Sequence, residues 1–217
     1  MSGEDLWAWT PQLLVAAGDT LKMTALAYLL AITVGLAIAL ARLARRDVVS
    51  AAARFYIEIV RGTPVLTQLF LLYFGLASAG IVLPAFTAAV VGLGLNYAAY
   101  LAEVYRAGII AVPRGQRDAA LAVGMTDALA MRRIILPQAV RVVLPPMANY
   151  AISLLKETSV ASLISAPELM LRARDLSSEY FMPMELYLFA AAMYLAMAYP
   201  LGKGARYLEL QLGRGRS

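Results

Sequence analysis

The chain has 217 residues, 61% of them hydrophobic, with a net charge of +5 and neither cysteine nor histidine. Ordinary globular domains hold roughly 45–50% apolar residues, so a mean hydropathy of +0.69 points to lipid rather than to a water-soluble core. The missing residue types exclude thiol catalysis, cysteine-ligated zinc or iron–sulfur centres, and imidazole acid–base chemistry.

The N-terminus, "MSGEDLWAWTPQLL", carries acidic residues where a basic leader belongs, so it is expected to be an extracytoplasmic segment, 1–19, and not a signal peptide. Five apolar spans follow, near 20–41, 56–77, 84–108, 143–166 and 185–202. Between Gly62 and Ala102 there are 41 consecutive residues without a charge, whereas one crossing needs roughly 20; two spans and the turn "SAGIVLP" fit there. The second span opens with Glu58 and Arg61 ahead of Gly62-Thr63-Pro64. Pro64 removes a backbone donor and favours a kink, leaving a carbonyl for another group to satisfy.

The third span begins at a proline, which suits a first helical turn. Gly92, Asn96, Ala99, Glu103 and Arg106 follow at i, i+4, i+7, i+11 and i+14 and so share one helical face. That face is expected to turn inward, with Gly92 and Ala99 for packing, Asn96 for packing or solute contact, and Glu103 with Arg106 as an ion pair. The fourth span contains Pro145 and Pro146 and is interrupted by Lys156 and Glu157. Starting it near Val143 puts those charges about 20 Å into a layer of about 30 Å, where each needs a partner: the other, a second subunit, or the charged ends of a solute.

Between the third and fourth spans stands "RDAALAVGMTDALAMRRIILPQAV". The pattern predicts a short helix over 114–123, a turn at Gly124 with positive φ, and a second helix capped by Thr126 or Asp127. It is either a docking element or a loop held at the lipid headgroups by Arg132 and Arg133. Assigning 42–61, 106–141 and 201–217 to one face gathers fifteen of the nineteen Lys and Arg residues. The positive-inside bias then puts the N-terminus outside and the C-terminus inside. The reading is an all-α polytopic protein with one transmembrane domain, 20–202, a cytoplasmic loop at 111–140 and a cytoplasmic tail, 203–217. The basic excess is explained by topology and requires no nucleic acid.

Asp118-Ala119-Ala120, then Gly124, then Ile134-x-Leu136-Pro137 closely resembles the EAA signature of permease subunits of ABC importers. "EIVRGTPVLTQLFLLYFGL", "LNYAAYLAEVYRAGIIAVPRGQ" and "ISLLKETSVASLI" resemble segments of the polar amino acid subgroup, and together the likeness covers roughly residues 20–200. Asp118 stands where glutamate is usual, shorter by one methylene.

The resemblance implies a type I importer permease fold in a bacterial cytoplasmic membrane, paired with a second permease subunit, the same or homologous. It implies two ATP-binding subunits that hold ATP and magnesium, and an extracytoplasmic binding protein delivering a polar amino acid or related solute. Asp118, Ala119, Ala120, Gly124, Ile134, Leu136 and Pro137 then couple to the ATPase. Arg61, Gln68, Asn96 and Glu157 become candidates for the solute pathway, and Glu58, Pro64, Glu103, Arg106 and Lys156 for structural or gating roles. The sequence has no G-x-x-x-x-G-K-[ST] phosphate loop, so it has no ATPase site of that kind and no cofactor of its own. An ion-driven secondary transporter and a non-transporting membrane scaffold are the alternatives: the first has no need of the pattern from Asp118 to Pro137 for a nucleotide-binding partner, and the second uses the charged loop to recruit a protein but has no solute path.

Overall fold

The computed structural model describes residues 3–213 apart from residue 45. It is helical throughout: α1 (Gly3–Arg42), α2 (Asp47–Gly62), α3 (Val65–Ser78), α4 (Ala85–Ile110), α5 (Arg114–Ala122), α6 (Asp127–Ala130), α7 (Leu136–Glu157), α8 (Leu169–Tyr180) and α9 (Pro183–Gly213). A π turn, Met131–Ile135, joins α6 to α7, and a 3-10 segment, Thr158–Ile164, follows α7.

Helix α1 runs for 40 residues, about 60 Å at 1.5 Å per residue and twice the hydrocarbon thickness. Residues 3–19, expected as a separate N-terminal segment, are instead its first turns. The reason lies in Trp9, Leu13 and Ala17, an i, i+4, i+8 stripe that packs on Leu169, Ala173 and Leu176 of α8 and on Leu186 and Ala190 of α9. Further along, Met23, Ala27 and Ala31 pack against Ala89, Leu93, Tyr97 and Leu101 of α4. An added Cβ on Gly94 would lie 3.0 Å from the Ala27 carbonyl, and one on Gly35 would lie 2.9 Å from that of Ala98. These contacts advance together along both chains, so α1 and α4 run parallel.

Among the described residues three helices are long and apolar enough to cross a membrane, Trp9–Arg42, Ala85–Ile110 and Pro183–Leu212; α2 and α3 make a fourth only as a pair bent by 106°. The fourth expected span differs from its sequence reading. Its helix α7 starts at Leu136, not near Val143, passes through Pro145-Pro146, and ends at Glu157, so Lys156 and Glu157 occupy a helix terminus. Pro137 lies in the first turn of α7 directly after the π turn. The wider turn accommodates the missing amide and the ring's clash with the preceding turn.

Glu168, buried at 1% exposure, caps α8 by accepting from the Met170 and Leu171 amides, and accepts from the Tyr194 hydroxyl at 2.6 Å. The Leu169 amide donates to Thr20 Oγ1 at 3.0 Å. Helices α1, α8 and α9 are thus tied together at one end. Burial pushes the Glu168 carboxyl above its ordinary range, against the opposing pull of these three donors. At the other end α9 continues to Gly213, so the tail expected from 203 is the last stretch of that helix as far as 213; residues 214–217 lie outside the described residues.

Candidate functional site

Two groups of residues stand out, one at the helix–turn–helix and one inside the bundle. In the first, the Gly124 amide donates to the Leu121 carbonyl at 3.0 Å and that of Met125 to Ala120 at 3.1 Å, closing α5. Gly124 has φ +84 and a Cβ there would meet nothing within 4 Å; backbone conformation, not space, opposes a side chain. Thr126 Oγ1 accepts from the Leu129 amide and caps α6. Arg117 closes the turn from the far side with two bonds to Asp127 Oδ1, 2.8 and 3.0 Å.

Asp118, Ala119, Leu136 and Pro137 are exposed and Ile134 is half-buried. Ala120, grouped with them by the resemblance, is buried at 6% exposure. With α5 lying against the π turn, a small residue there lets the two halves of the hairpin approach.

Inside the bundle, Pro64 breaks the second span and cannot bond the carbonyl four residues back, that of Val60. Gln68 Nε2 takes that carbonyl at 2.8 Å and also donates to the Thr63 carbonyl at 3.2 Å and hydroxyl at 2.7 Å. Its Oε1 accepts from Asn96 Nδ2 at 3.1 Å, and Asn96 is buried. The structure therefore brings Gln68 and Asn96 together, with the Gln68 amide nitrogen committed to the bend and the Asn96 amide nitrogen holding Gln68.

Arg61, exposed, turns from Glu58 to lie over the Tyr100 ring, 5.2 Å from its centroid. Tyr100, Tyr97 and Tyr150 form a cluster with centroids 5.7–6.1 Å apart, and the Tyr97 hydroxyl donates to Glu157 Oε2 at 2.6 Å. A guanidinium and a carboxylate thus flank one aromatic cluster. The Lys156 side chain is exposed and forms no hydrogen bond or ion pair among the described residues, so it is not neutralised by Glu157. Glu103 and Arg106 make the expected pair, two-pronged at 2.7–3.2 Å. Sequence reasoning passed over the tyrosines, although Tyr97 and Tyr100 stand beside Asn96 and Ala99 on the inward stripe of α4.

A bundle of crossing helices with one broken span, an internal polar seam and a rigid helix–turn–helix at its end defines a transmembrane transport subunit. Residues 24–209 match the family described as binding-protein-dependent transport system inner membrane component, and the chain belongs to that family. It is 39% identical over 187 residues to the probable amino-acid ABC transporter permease protein YckA of Bacillus subtilis, covering 86% of this chain and 83% of that one. It is 38% identical to the arginine transport system permease protein ArgU of Corynebacterium glutamicum, covering 92% and 68%. The crystal structure of an amino acid ABC transporter with histidines contains a chain 39% identical to this one, with a TM-score of 0.93 over 97% of this chain and 99% of that one.

The fold is therefore that of a type I ABC-importer permease, and the protein is a multi-pass, non-catalytic subunit of a transporter in a bacterial cytoplasmic membrane. The ion-driven and scaffold readings are set aside by the same findings.

Proposed function

We propose that the chain forms one half of the translocation pathway of an ATP-driven importer for a polar amino acid or a closely related solute. The partners are a second permease subunit, two ATP-binding subunits and an extracytoplasmic binding protein. The observation that carries the substrate class is the pairing of Arg61 and Glu157 across the three tyrosines, since an amino acid presents an α-carboxylate and an α-amine. The names of the relatives, an amino-acid and an arginine permease, support the same class.

In this reading the chain crosses five times, by α1, the α2–α3 pair, α4, α7 with its 3-10 extension, and α9, and the odd number sets the termini on opposite sides. The parallel course of α1 and α4 supports this, because both then end at the arginine-rich face, at Arg42 and beyond Arg106. That face is cytoplasmic by charge bias, the N-terminal turns of α1 are extracytoplasmic, the loop 111–140 faces the ATPase, and residues 203–217 are cytoplasmic.

Asp118 and Ala119 meet the ATPase directly, while Gly124, Ile134, Leu136 and Pro137 set the angle and rigidity of the hairpin. Gly124→Val is expected to destabilise the turn by about 1–2 kcal/mol and to reduce solute-stimulated ATP turnover in proteoliposomes. Gly124→Asn, which tolerates the left-handed region, retains most of it. Equal turnover in all three proteins counts against a rigid coupling turn.

The solute reading is tested by Glu157→Gln, which keeps the shape and removes the charge. A charge-assisted bond is worth about 1.5–3 kcal/mol, so uptake efficiency across a panel of polar amino acids is expected to fall by roughly 10- to 100-fold. Complex recovery and ATPase association stay unchanged. Uptake at the wild-type level for every solute removes Glu157 from the pathway.

A further inference from the structure

A groove of about 660 Å³ runs between α1 and α2 on the outside of the chain, lined by Val34, Ala37 and Ile38 on one side and Val48, Val49 and Ala52 on the other. Its one polar side chain, Thr33, already donates to the Leu29 and Leu30 carbonyls, so the groove offers water almost nothing. Thr33 to Ala41 belongs to a helix long and apolar enough to cross the bilayer, and apolar surface at that depth is covered either by acyl chains or by protein.

The mouth of the groove is cationic. Arg42 continues the row of Val34 and Ile38 at i+8 and i+4 and lies at the C-terminal end of α1. Ser50 joins the two helices there, donating to the Arg42 carbonyl at 3.0 Å and accepting from its guanidinium at 3.4 Å. Arg46 is exposed at the N-cap of α2, three and four residues before Val49 and Ser50, and α2 has no side-chain cap. The first-turn amides of α2 therefore add partial positive charge at the same end. Asp47, in the first turn of α2, offsets part of this charge and shares a surface with Ser50, Arg54 and Glu58, whereas Glu103, within electrostatic reach of Arg42, is gripped by Arg106, which leaves Arg42 and Arg46 facing one nearby carboxylate.

We infer that the α1–α2 groove is a binding site for an anionic phospholipid, with one acyl chain along Val34, Ala37, Ile38 and Ala52 and the headgroup phosphate at Arg42 and Arg46. Basic residues at the membrane-facing mouth of an interhelical cleft favour anionic over zwitterionic headgroups, each Lys or Arg contributing about 1 kcal/mol near the surface. The lipid wedges the first turns of α2 against the last turns of α1. Assigning the lipid to the cytoplasmic leaflet rests on the orientation proposed above; the existence of the site does not.

The test uses the full chain with its co-purifying subunits in nanodiscs of phosphatidylcholine, with or without phosphatidylglycerol. Both leaflets share one composition, so the result is independent of orientation. Lipid retained after detergent stripping is counted by native mass measurement. Phosphatidylglycerol is expected to be retained preferentially, and Arg42→Gln and Arg46→Gln each lower its apparent affinity about fivefold. Ala37→Phe, an exposed position facing into the groove, displaces the lipid without touching the arginines.

Ser50 bonds the Arg42 main chain, so the glutamine variants keep the helix junction, and circular dichroism confirms their folding. Equal retention of the two lipids by the unaltered protein overturns the proposal, as does unchanged retention in the Arg42→Gln/Arg46→Gln double variant. An efficient disulfide between two copies carrying Ala52→Cys also overturns it, by showing that the groove is filled by a second chain.

Discussion

A leucine in place of Gly35 is expected to cost roughly 3 kcal/mol or more and to leave most of the detergent-extracted protein unfolded or aggregated at temperatures the unaltered chain tolerates. Even a Cβ at this position would lie 2.9 Å from the Ala98 carbonyl, 3.1 Å from Leu101 Cβ and 3.4 Å from the Ala102 amide. None of these atoms moves with a rotamer, so relief requires α1 and α4 to separate. Those two helices share the main core of Ala27, Ala31, Leu93 and Leu101, and between membrane helices close packing replaces the hydrophobic drive available in water. Gly94→Leu meets the same obstacle at Ala27 and Leu30 and is expected to behave alike. Gly18, on the same helix, has nothing within 4 Å of a Cβ, so Gly18→Ala is expected to be neutral or to stabilise by up to about 1 kcal/mol. Thermal unfolding in one detergent compares all three. Wild-type midpoints for Gly35→Leu and Gly94→Leu would mean that α1 and α4 do not pack as described.

What was legible from the residues followed local rules. The turn at Gly124, its Thr126 cap and the break at Pro64 each depend on a few neighbouring residues whose conformational demands are strong. The inward stripe of α4 was readable because one face carries Gly92, Asn96 and Ala99. What escaped was decided by contacts between distant segments. Hydropathy alone ends the first helix near Thr20, but α8 and α9, about 150 residues later, supply the surface that keeps Trp9 and Leu13 helical.

The inner site shows the same division. A freed Val60 carbonyl was predictable from Pro64, yet only the fold shows that Gln68 takes it and that Asn96 holds Gln68. Likewise the spacing of Lys156 and Glu157 poses the problem of buried charge, while the answer for Glu157 is a tyrosine 60 positions earlier. Residues chosen for polarity at membrane depth thus fall into two groups. Gln68 and Asn96 maintain the bend; Arg61 and Glu157 remain on the aromatic cluster.

Ala119 and Ala120 are neighbours in the stretch that resembles the EAA signature, and the structure gives them opposite fates under the same substitution. Ala119 is exposed beside Asp118, whereas Ala120 is buried against its own hairpin. Ala119→Trp is therefore expected to preserve the thermal unfolding midpoint of the permease while obstructing the ATP-binding subunit. Ala120→Trp is expected to lower that midpoint, because the indole must enter the space between α5 and the π turn. Asp118→Lys leaves the hairpin intact, since the bond across the turn is made by Arg117 and Asp127, but it reverses the charge offered to the partner. Breaking a charge pair in a desolvated interface costs about 2–5 kcal/mol, so recovery of the complex is expected to fall at least about 30-fold. Asp118→Glu restores the longer carboxylate and keeps association near the wild-type level. Pull-down of the ATP-binding subunit, ATP-driven uptake and thermal unfolding are measured on the same four variants. If Asp118→Lys and Ala119→Trp both retain association and uptake, the exposed edge of α5 is not the surface through which ATP hydrolysis reaches the membrane.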